Sequence, residues 1–460
     1  MRRFASLLAA ALLAACSAQP PYERPALELP AAWKESAPRF AEDGRWWRIY
    51  DDSILDNLVD ESLAGNTDLV IAAARVDEAR ALVGEAGSAF FPTVDARGSA
   101  VRQQNSTRTA VSPPGVPREY STYRATLNVS YEVDLFGRLR AGARAARAEL
   151  EASEAARDTV RLALAAQVAK SYYTLRALDE QVALTRETLR LREDTLALQK
   201  KRFDGGVISE FEYRQIEAEA AAARAQLPPL ERDREREEAA LALLLGRSPR
   251  QVFEEKITRK ESAEERPAAP VLPSGVPSEL LLRRADLVEA ERRLAAADAR
   301  IAAARAEMFP SIVLTGALGG ESAALSNLFT GPAGIWNLGL ALTQPIFAGG
   351  RLQARTAAAE ARERQALAQY QKAIQTAFSE TRSALAAQSR SLESYEAETA
   401  RAVALAHTLR LARLRYDNGI ASQLDVLDAE RGLLAARSAR IEALRAHRSA
   451  IADLFRALGG

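Results

Sequence analysis

The chain has 460 residues, long enough for two or three ordinary domains or one elongated one. Its 62 basic and 61 acidic side chains nearly cancel to a net charge of +1, which excludes the basic excess of a nucleic-acid binder. One cysteine, Cys16, and two histidines, His407 and His447, exclude an intrachain disulfide and the usual Cys/His zinc site.

The chain opens on "MRRFASLLAAALLAACSAQP". Arg2 and Arg3 form a basic start, and Phe4 to Ala15 an apolar run too short to span a membrane. This predicts a signal peptide over 1–15. "LAAC" resembles the bacterial lipobox, in which the cysteine after small residues is cut and lipidated, so Cys16 is the expected lipid attachment site. The alternative is an ordinary signal with an incidental Cys. Ser17, in place of the Asp that retains lipoproteins at the inner membrane, directs the mature chain to the outer membrane by the same resemblance. A single lipid binds a membrane only moderately, so further membrane contact is expected.

After an N-terminal segment (16–48), a helical run through "NTDLVIAAARVDEARA" ends at Phe91-Pro92, because proline cannot continue a helix. Two strand-like runs follow, "TVDARGSAV" and "RATLNVSYEV", around a Gly/Ser/Pro-rich loop. In the second, Ala125, Leu127, Val129, Tyr131 and Val133 alternate with polar residues. A helix then runs from Arg138 to Arg202, with heptads through Leu175, Val182, Leu189 and Leu196 and through Leu184, Leu191 and Leu198. It ends at "RFDGGVISEFEYR", where a second long helix begins.

The same grammar then returns. "AFFPTVDARG" recurs as "EMFPSIVLTG" 218 residues later (307 minus 89), and "NTDLVIAAARVDEARA" as "RADLVEAERRLAAADA" at the same offset (284 minus 66). "VDLFGRLRA" recurs loosely as "QPIFAGGRLQA", and "RFDGGVISEFEYR" as "RYDNGIASQLDVL" 213 residues later (415 minus 202). "LALLLGR" returns as "ADLFRALGG" at the chain end. Matches in register mark a duplicated unit. The repeats are placed at 49–248 and 279–460, joined by a linker or equatorial region over 249–278 that includes the charged, Pro-rich "KESAEERPAAPVLPSGVPS". In the second half "SIVLTGALGG" and "NLGLALTQPIF" are the strands, and Leu427, Leu434 and Ile441 then Leu444, Ile451 and Leu458 the heptads.

Runs of about 9–11 alternating residues fit tilted membrane-spanning strands. Ordinary half-buried strands of a soluble sheet are the alternative from alternation alone. Four strands are too few to close a barrel, so the barrel reading demands an oligomer.

Together the lipobox, the duplicated strand–strand–long-helix unit and "RYDNGIASQLDVLDAE" resemble the outer-membrane factor family of tripartite efflux and secretion systems (TolC/OprM-like, NodT-type lipoproteins). "PPYERPALELPAAW" and "RRADLVEAERRLAAADARIAAARAEMFPSI" strengthen that resemblance, which covers nearly the whole mature chain. It implies a mainly α fold with a β-barrel part. A homotrimer would form one barrel of twelve strands and a long periplasmic helical tunnel. The linker, the region around "WWRIYDDSILDNLVDESL" and the chain end would form a belt.

The implied function is passive conduction of drugs or other small molecules from an inner-membrane RND transporter, through a periplasmic adaptor, across the outer membrane. The implied tip turns hold Gly205, Gly206 and Gly419, which suit positive φ. The implied gate holds Tyr416, the acidic pair Asp425 and Asp428, and Glu212 as a hydrogen-bond partner for Tyr416. Three residues apart, Asp425 and Asp428 share a helix face, so threefold symmetry would stack two carboxylate rings that favour cations. Plain exposure near a helix start also explains both acids. Ala421 departs from members that place an arginine there, so a different latch is expected.

No phosphate-binding GxxxxGK[ST] loop or nucleophile–base pair is present, so no enzyme and no cofactor beyond the lipid on Cys16 are expected. His407 and His447 read as surface or packing residues, and Met1 and Met308, the only methionines, disfavour copper or silver export. A protein-secretion channel and a non-porous coiled-coil spacer lipoprotein are the other readings. The spacer leaves the alternating strands without a role.

Overall fold

The computed structural model describes residues 44–106, 108, 117–260 and 284–460. The signal peptide, Cys16 and nearly all of the Pro-rich linker lie outside the described residues. In chain order come a 3-10 turn (Trp46–Tyr50), α1 (Ser53–Gly65), α2 (Thr67–Ser88), β1 (Thr93–Gln104), β2 (Glu119–Val133), α3 (Arg138–Asp204), α4 (Glu210–Leu244) and α5 (Pro249–Glu254). The second half has α6 (Ala285–Ala306), β3 (Ser311–Ser322), β4 (Gly334–Thr343), α7 (Arg351–Asp417) and α8 (Gln423–Leu458). The two longest helices, α3 and α7, both run 67 residues. The chain is thus mainly helical, with two strand–strand–helix repeats.

These residues form two compact units. One holds Arg75–Glu154 and Glu289–Gln371; the other holds the described residues up to Ala74, those of Ala155–Val288, and Lys372–Gly460.

In the first unit the strands make one antiparallel sheet in the order β1-β2-β3-β4. Its register sets Ala96 opposite Leu127, Leu127 opposite Leu318, and Leu318 opposite Trp336. That face also carries Val94, Val129, Leu314, Leu338, Leu340 and Leu342, all of them exposed. Leu338 is 82% exposed and Trp336 75%. Each such side chain left in water forgoes about 2 kcal/mol of burial, so a soluble sheet would cover this face. The opposite face is polar: Asp95 accepts from Arg97 Nε at 2.9 Å and from Asn128 Nδ2 at 3.2 Å. The strands of 10–15 residues thus have one oily and one wet side, the pattern of a bilayer-spanning sheet. One expectation is corrected: the fourth strand stops at Thr343, not Phe347. Pro345 cannot donate to a ladder, and Ile346 and Phe347 lie beyond the strand.

The second unit has its core where the segment around Trp46 meets the last helix. Trp46 stacks on Phe455, ring centroids 5.3 Å apart at 15°. Leu55, Val59, Val168, Leu175, Leu241 and Ile451 complete the cluster. Asp52 is buried, yet satisfied: it caps α1 through Ile54 N–H (3.1 Å) and accepts from Tyr172 Oη (2.9 Å) and Arg176 Nη1 (3.3 Å). In α8, His447 is fully buried as a packing residue, its Nδ1 3.1 Å from Ser391 Oγ, whereas His407 is exposed.

Candidate functional site: the paired helical hairpins

The second unit holds two helical hairpins, α3/α4 and α7/α8, with nearly identical turns. Gly206 and Gly419 take φ of +70° and +71°. The Val207 N–H bonds Arg202 C=O and the Gly206 N–H bonds Phe203 C=O, at 2.8 and 2.9 Å. In the second turn Ile420 bonds Arg415 and Gly419 bonds Tyr416, both at 2.9 Å. These paired bonds close a helix on a left-handed glycine. Gly205 is corrected: it has no positive φ. It closes α3 through its N–H on Lys201 C=O, and an added Cβ would lie 3.3 Å from that oxygen.

The following helices start alike. Ser209 caps α4, its Oγ accepting from Glu212 N–H at 3.3 Å, while the Glu212 carboxylate accepts from Ser209 N–H at 2.8 Å. Ser422 and Asp425 repeat the exchange on α8 at 3.3 and 2.7 Å. The bonds to Ser209 hold the Glu212 carboxyl below the usual glutamate range, and those to Ser422 hold Asp425 below the usual aspartate range. The expected Glu212–Tyr416 bond is therefore corrected within one chain. The Glu212 carboxylate is committed to its own helix start, and the Tyr416 hydroxyl accepts from Arg202 Nη1 at 3.2 Å. The structure keeps Asp425 and Asp428 on exposed positions of one helix, and Asp428 lies 3.4 Å from Arg431 Nη1.

Sequence reading missed the group that joins the hairpins. Glu219 on α4 pairs with Arg192 on α3 at 3.0 Å, with side chains only 12% and 8% exposed. The Arg431 guanidinium of α8 reaches the same carboxylate, Nε at 3.0 Å. Arg431 thus links Asp428 to Glu219, and Arg202–Tyr416 links α3 to α7. The turns also carry exposed apolar side chains at matching positions: Val207 (66%) and Phe211 (75%) in one, Ile420 (69%) and Leu424 (47%) in the other. The S-x-x-E and S-x-x-D signals of the caps stood in the sequence unread. Glu219 and Arg431 had no local signal.

No group of three or more His, Cys, Asp or Glu suited to a metal occurs among the described residues.

Comparison with known proteins gives this arrangement its context. The family described as outer membrane efflux protein matches residues 58–247 and 276–460. The cation efflux system protein CusC of Escherichia coli is 33% identical, over 97% of this chain and 97% of its own. The antibiotic efflux pump outer membrane protein ArpC of Pseudomonas putida is 35% identical, over 98% of this chain and 93% of its own. The crystal structure of the Campylobacter jejuni CmeC outer membrane channel superposes with a TM-score of 0.89 at 26% identity, covering 96% of this chain and 95% of that one.

Proposed function

Because the chain belongs to the outer membrane efflux protein family, the outer-membrane channel components of efflux pumps, we propose that it acts as a passive homotrimeric exit duct for drugs or other small molecules. One observation carries this reading. The sheet presents an exposed apolar face and two edge strands, β1 and β4, whose outer sides pair with no other strand among the described residues. Open edges cannot face hydrocarbon, and further copies of the chain would satisfy them. Three copies give twelve strands, enough for a barrel with an aqueous lumen lined by the polar face.

The hairpin turns form the periplasmic constriction of that duct. Asp425 and Asp428 ring it, and Tyr416 and Arg202 hold α7 against α3. A periplasmic adaptor docks on Val207, Phe211, Ile420 and Leu424, apolar side chains left in water in both repeats. An inner-membrane RND-type transporter supplies the energy. Lipid on Cys16, supported by its place after Leu13-Ala14-Ala15, adds a second hold on the outer membrane.

Single-channel recording of the purified protein in a planar bilayer tests the reading. We expect a small, cation-selective conductance, and larger, less selective openings when Asp425→Ala is combined with Asp428→Ala. Unchanged openings in the double variant would remove these residues from the gate. Absence of conductance in both would remove the duct. The cation-efflux relative favours a second substrate class, whereas the two methionines speak against soft metal ions. Export of copper or silver, with no drug export, by cells relying on this chain would select the metal.

A further inference from the structure

The register of the sheet fixes which residues share its wet face. Among the described strand residues, the charged ones there are Asp95 and Arg97 on β1, Arg124 and Glu132 on β2, and Glu321 on β3. β4 puts no charge on that face. Every carboxylate has an arginine bonded to it. Asp95 accepts from Arg97 Nε at 2.9 Å, and Glu321 accepts from Arg124 Nε at 2.6 Å across β2–β3. Glu132 accepts at 3.1 Å from Nε of Arg138, the first residue of α3. The pairs stand at three levels: Glu321 opposite Arg124, then Arg97 and Asp95 opposite Thr126 and Asn128, then Glu132 at the helix end.

These pairs do little for the fold. Their side chains are 28% to 78% exposed, a setting in which an ion pair adds little to stability. Their effect is on the field. Each base touches its acid, far inside the screening length of about 10 Å in 0.1 M salt, so each pair is nearly silent to a molecule passing along the face. We propose that Arg97 and Arg124 set the charge specificity of the outer part of the duct. Each cancels one carboxylate, so the barrel passes small anions and cations alike, and discrimination by charge falls to the hairpin turns. The proposal rests on the reading that the wet face lines a lumen.

The internal repeat supplies an independent argument. At the offset of 218, Asp95 and Arg97 correspond to Val313 (313 minus 95) and Thr315 (315 minus 97). Glu321 corresponds to Gln103 at the same offset (321 minus 103). Arg124 corresponds to Ile335 at 211 (335 minus 124), the spacing that relates Phe136 to Phe347 (347 minus 136). At both levels acid and base are present together or absent together, as cancellation requires. The turns differ: Ser422, not an arginine, holds the Asp425 carboxylate, so its ring keeps a net charge. Loss of Arg97 from three copies would leave three bare carboxylates on one level of the barrel, which would gather cations. Loss of Asp95 would leave three bare guanidiniums and the opposite preference.

Charge-selective thiol labelling of the full-length protein tests this. Thr126→Cys places a thiol on the wet face opposite Arg97. Membranes are treated with a cationic or an anionic methanethiosulfonate of similar size, and each rate is divided by the reagent's rate with free cysteine. The unmutated chain, with Cys16 alone, gives the background. Light scattering in detergent counts copies separately. We expect a cation-to-anion rate ratio near one. Adding Arg97→Gln should raise it several-fold, and adding Asp95→Asn should lower it several-fold. Adding both should return it to near one, which a disturbed fold would not do. A ratio several-fold away from one in Thr126→Cys alone overturns the proposal and leaves the channel reading standing. So does a ratio that neither single change moves, or one that the double change fails to restore. A monomer, or a trimer whose Thr126→Cys thiol reacts with neither reagent, overturns both.

Discussion

Glu219 holds two guanidiniums at once, one nearly buried on α3 and one half-exposed on α8. Its removal leaves the Arg192 charge desolvated and unpaired, so Glu219→Ala should cost about 3 kcal/mol of thermal stability. Arg192→Met combined with Glu219→Leu should recover most of that, because an apolar pair of similar volume replaces a buried ion pair at little cost. Thermal melts of the three variants check this, and the Glu219→Ala channel should open more often in bilayers. The capping carboxylates give a pH dependence. Bonding lowers the folded-state pKa of both Glu212 and Asp425. Their contribution is therefore complete above the unfolded value and is lost as pH falls through the depressed folded one. Hydrogen exchange of the Ser209–Glu212 and Ser422–Asp425 turns, corrected for intrinsic rate, should be flat from about pH 7 to about pH 5 and rise only under stronger acid. Asp425→Asn, which removes the titrating carboxyl, should abolish that rise in the second turn alone. Tyr416, Asp425 and Asp428 were found through resemblance to a family, whereas the cap at Asp425 was legible in the Ser422-x-x-Asp425 spacing but not drawn from it. Glu219 was not legible, because a pair between residues 212 positions apart (431 minus 219) leaves no mark in either neighbourhood.

At the scale of elements, the long helix α3 of the first repeat was legible from period alone, but its orientation was not. Leu175 and Val182 of one seam are buried, while Leu191 and Leu198 of the other are 42% and 57% exposed. Two interleaved heptads of equal strength cannot show which one faces inward. The inward seam is completed by Thr185, Arg192 and Gln199, also seven apart, whose polarity hid them. The exposed seam on α3 predicts a contact between copies. Leu191→Ser with Leu198→Ser should change the melting of the hairpin by less than about 1 kcal/mol, yet lower the trimeric fraction in light scattering. Pro228 and Pro229 lie inside α4, where sequence rules end a helix. Burial on both sides, at Ile216 and Leu241, holds α4 together across them.

At the scale of the whole molecule, the repeat made the architecture readable. Two strands followed by a long helical hairpin occur in the same order in each half, and the sheet order follows the chain order. What one sequence cannot display is pairing between copies, since an edge strand and an inner strand have the same alternation. The unpaired edges of β1 and β4 also bear on how such a protein reaches its membrane. A barrel made from one chain is finished when its own first strand finds its own last, at a rate independent of how many copies exist. In the proposed trimer the first and last strands that must meet lie on different polypeptides, so insertion would wait on encounter and become steeply dependent on abundance. A copy with a damaged β1 would then be worse than an absent one. It would still offer a sound β4, enter assemblies, and leave every ring it joined open.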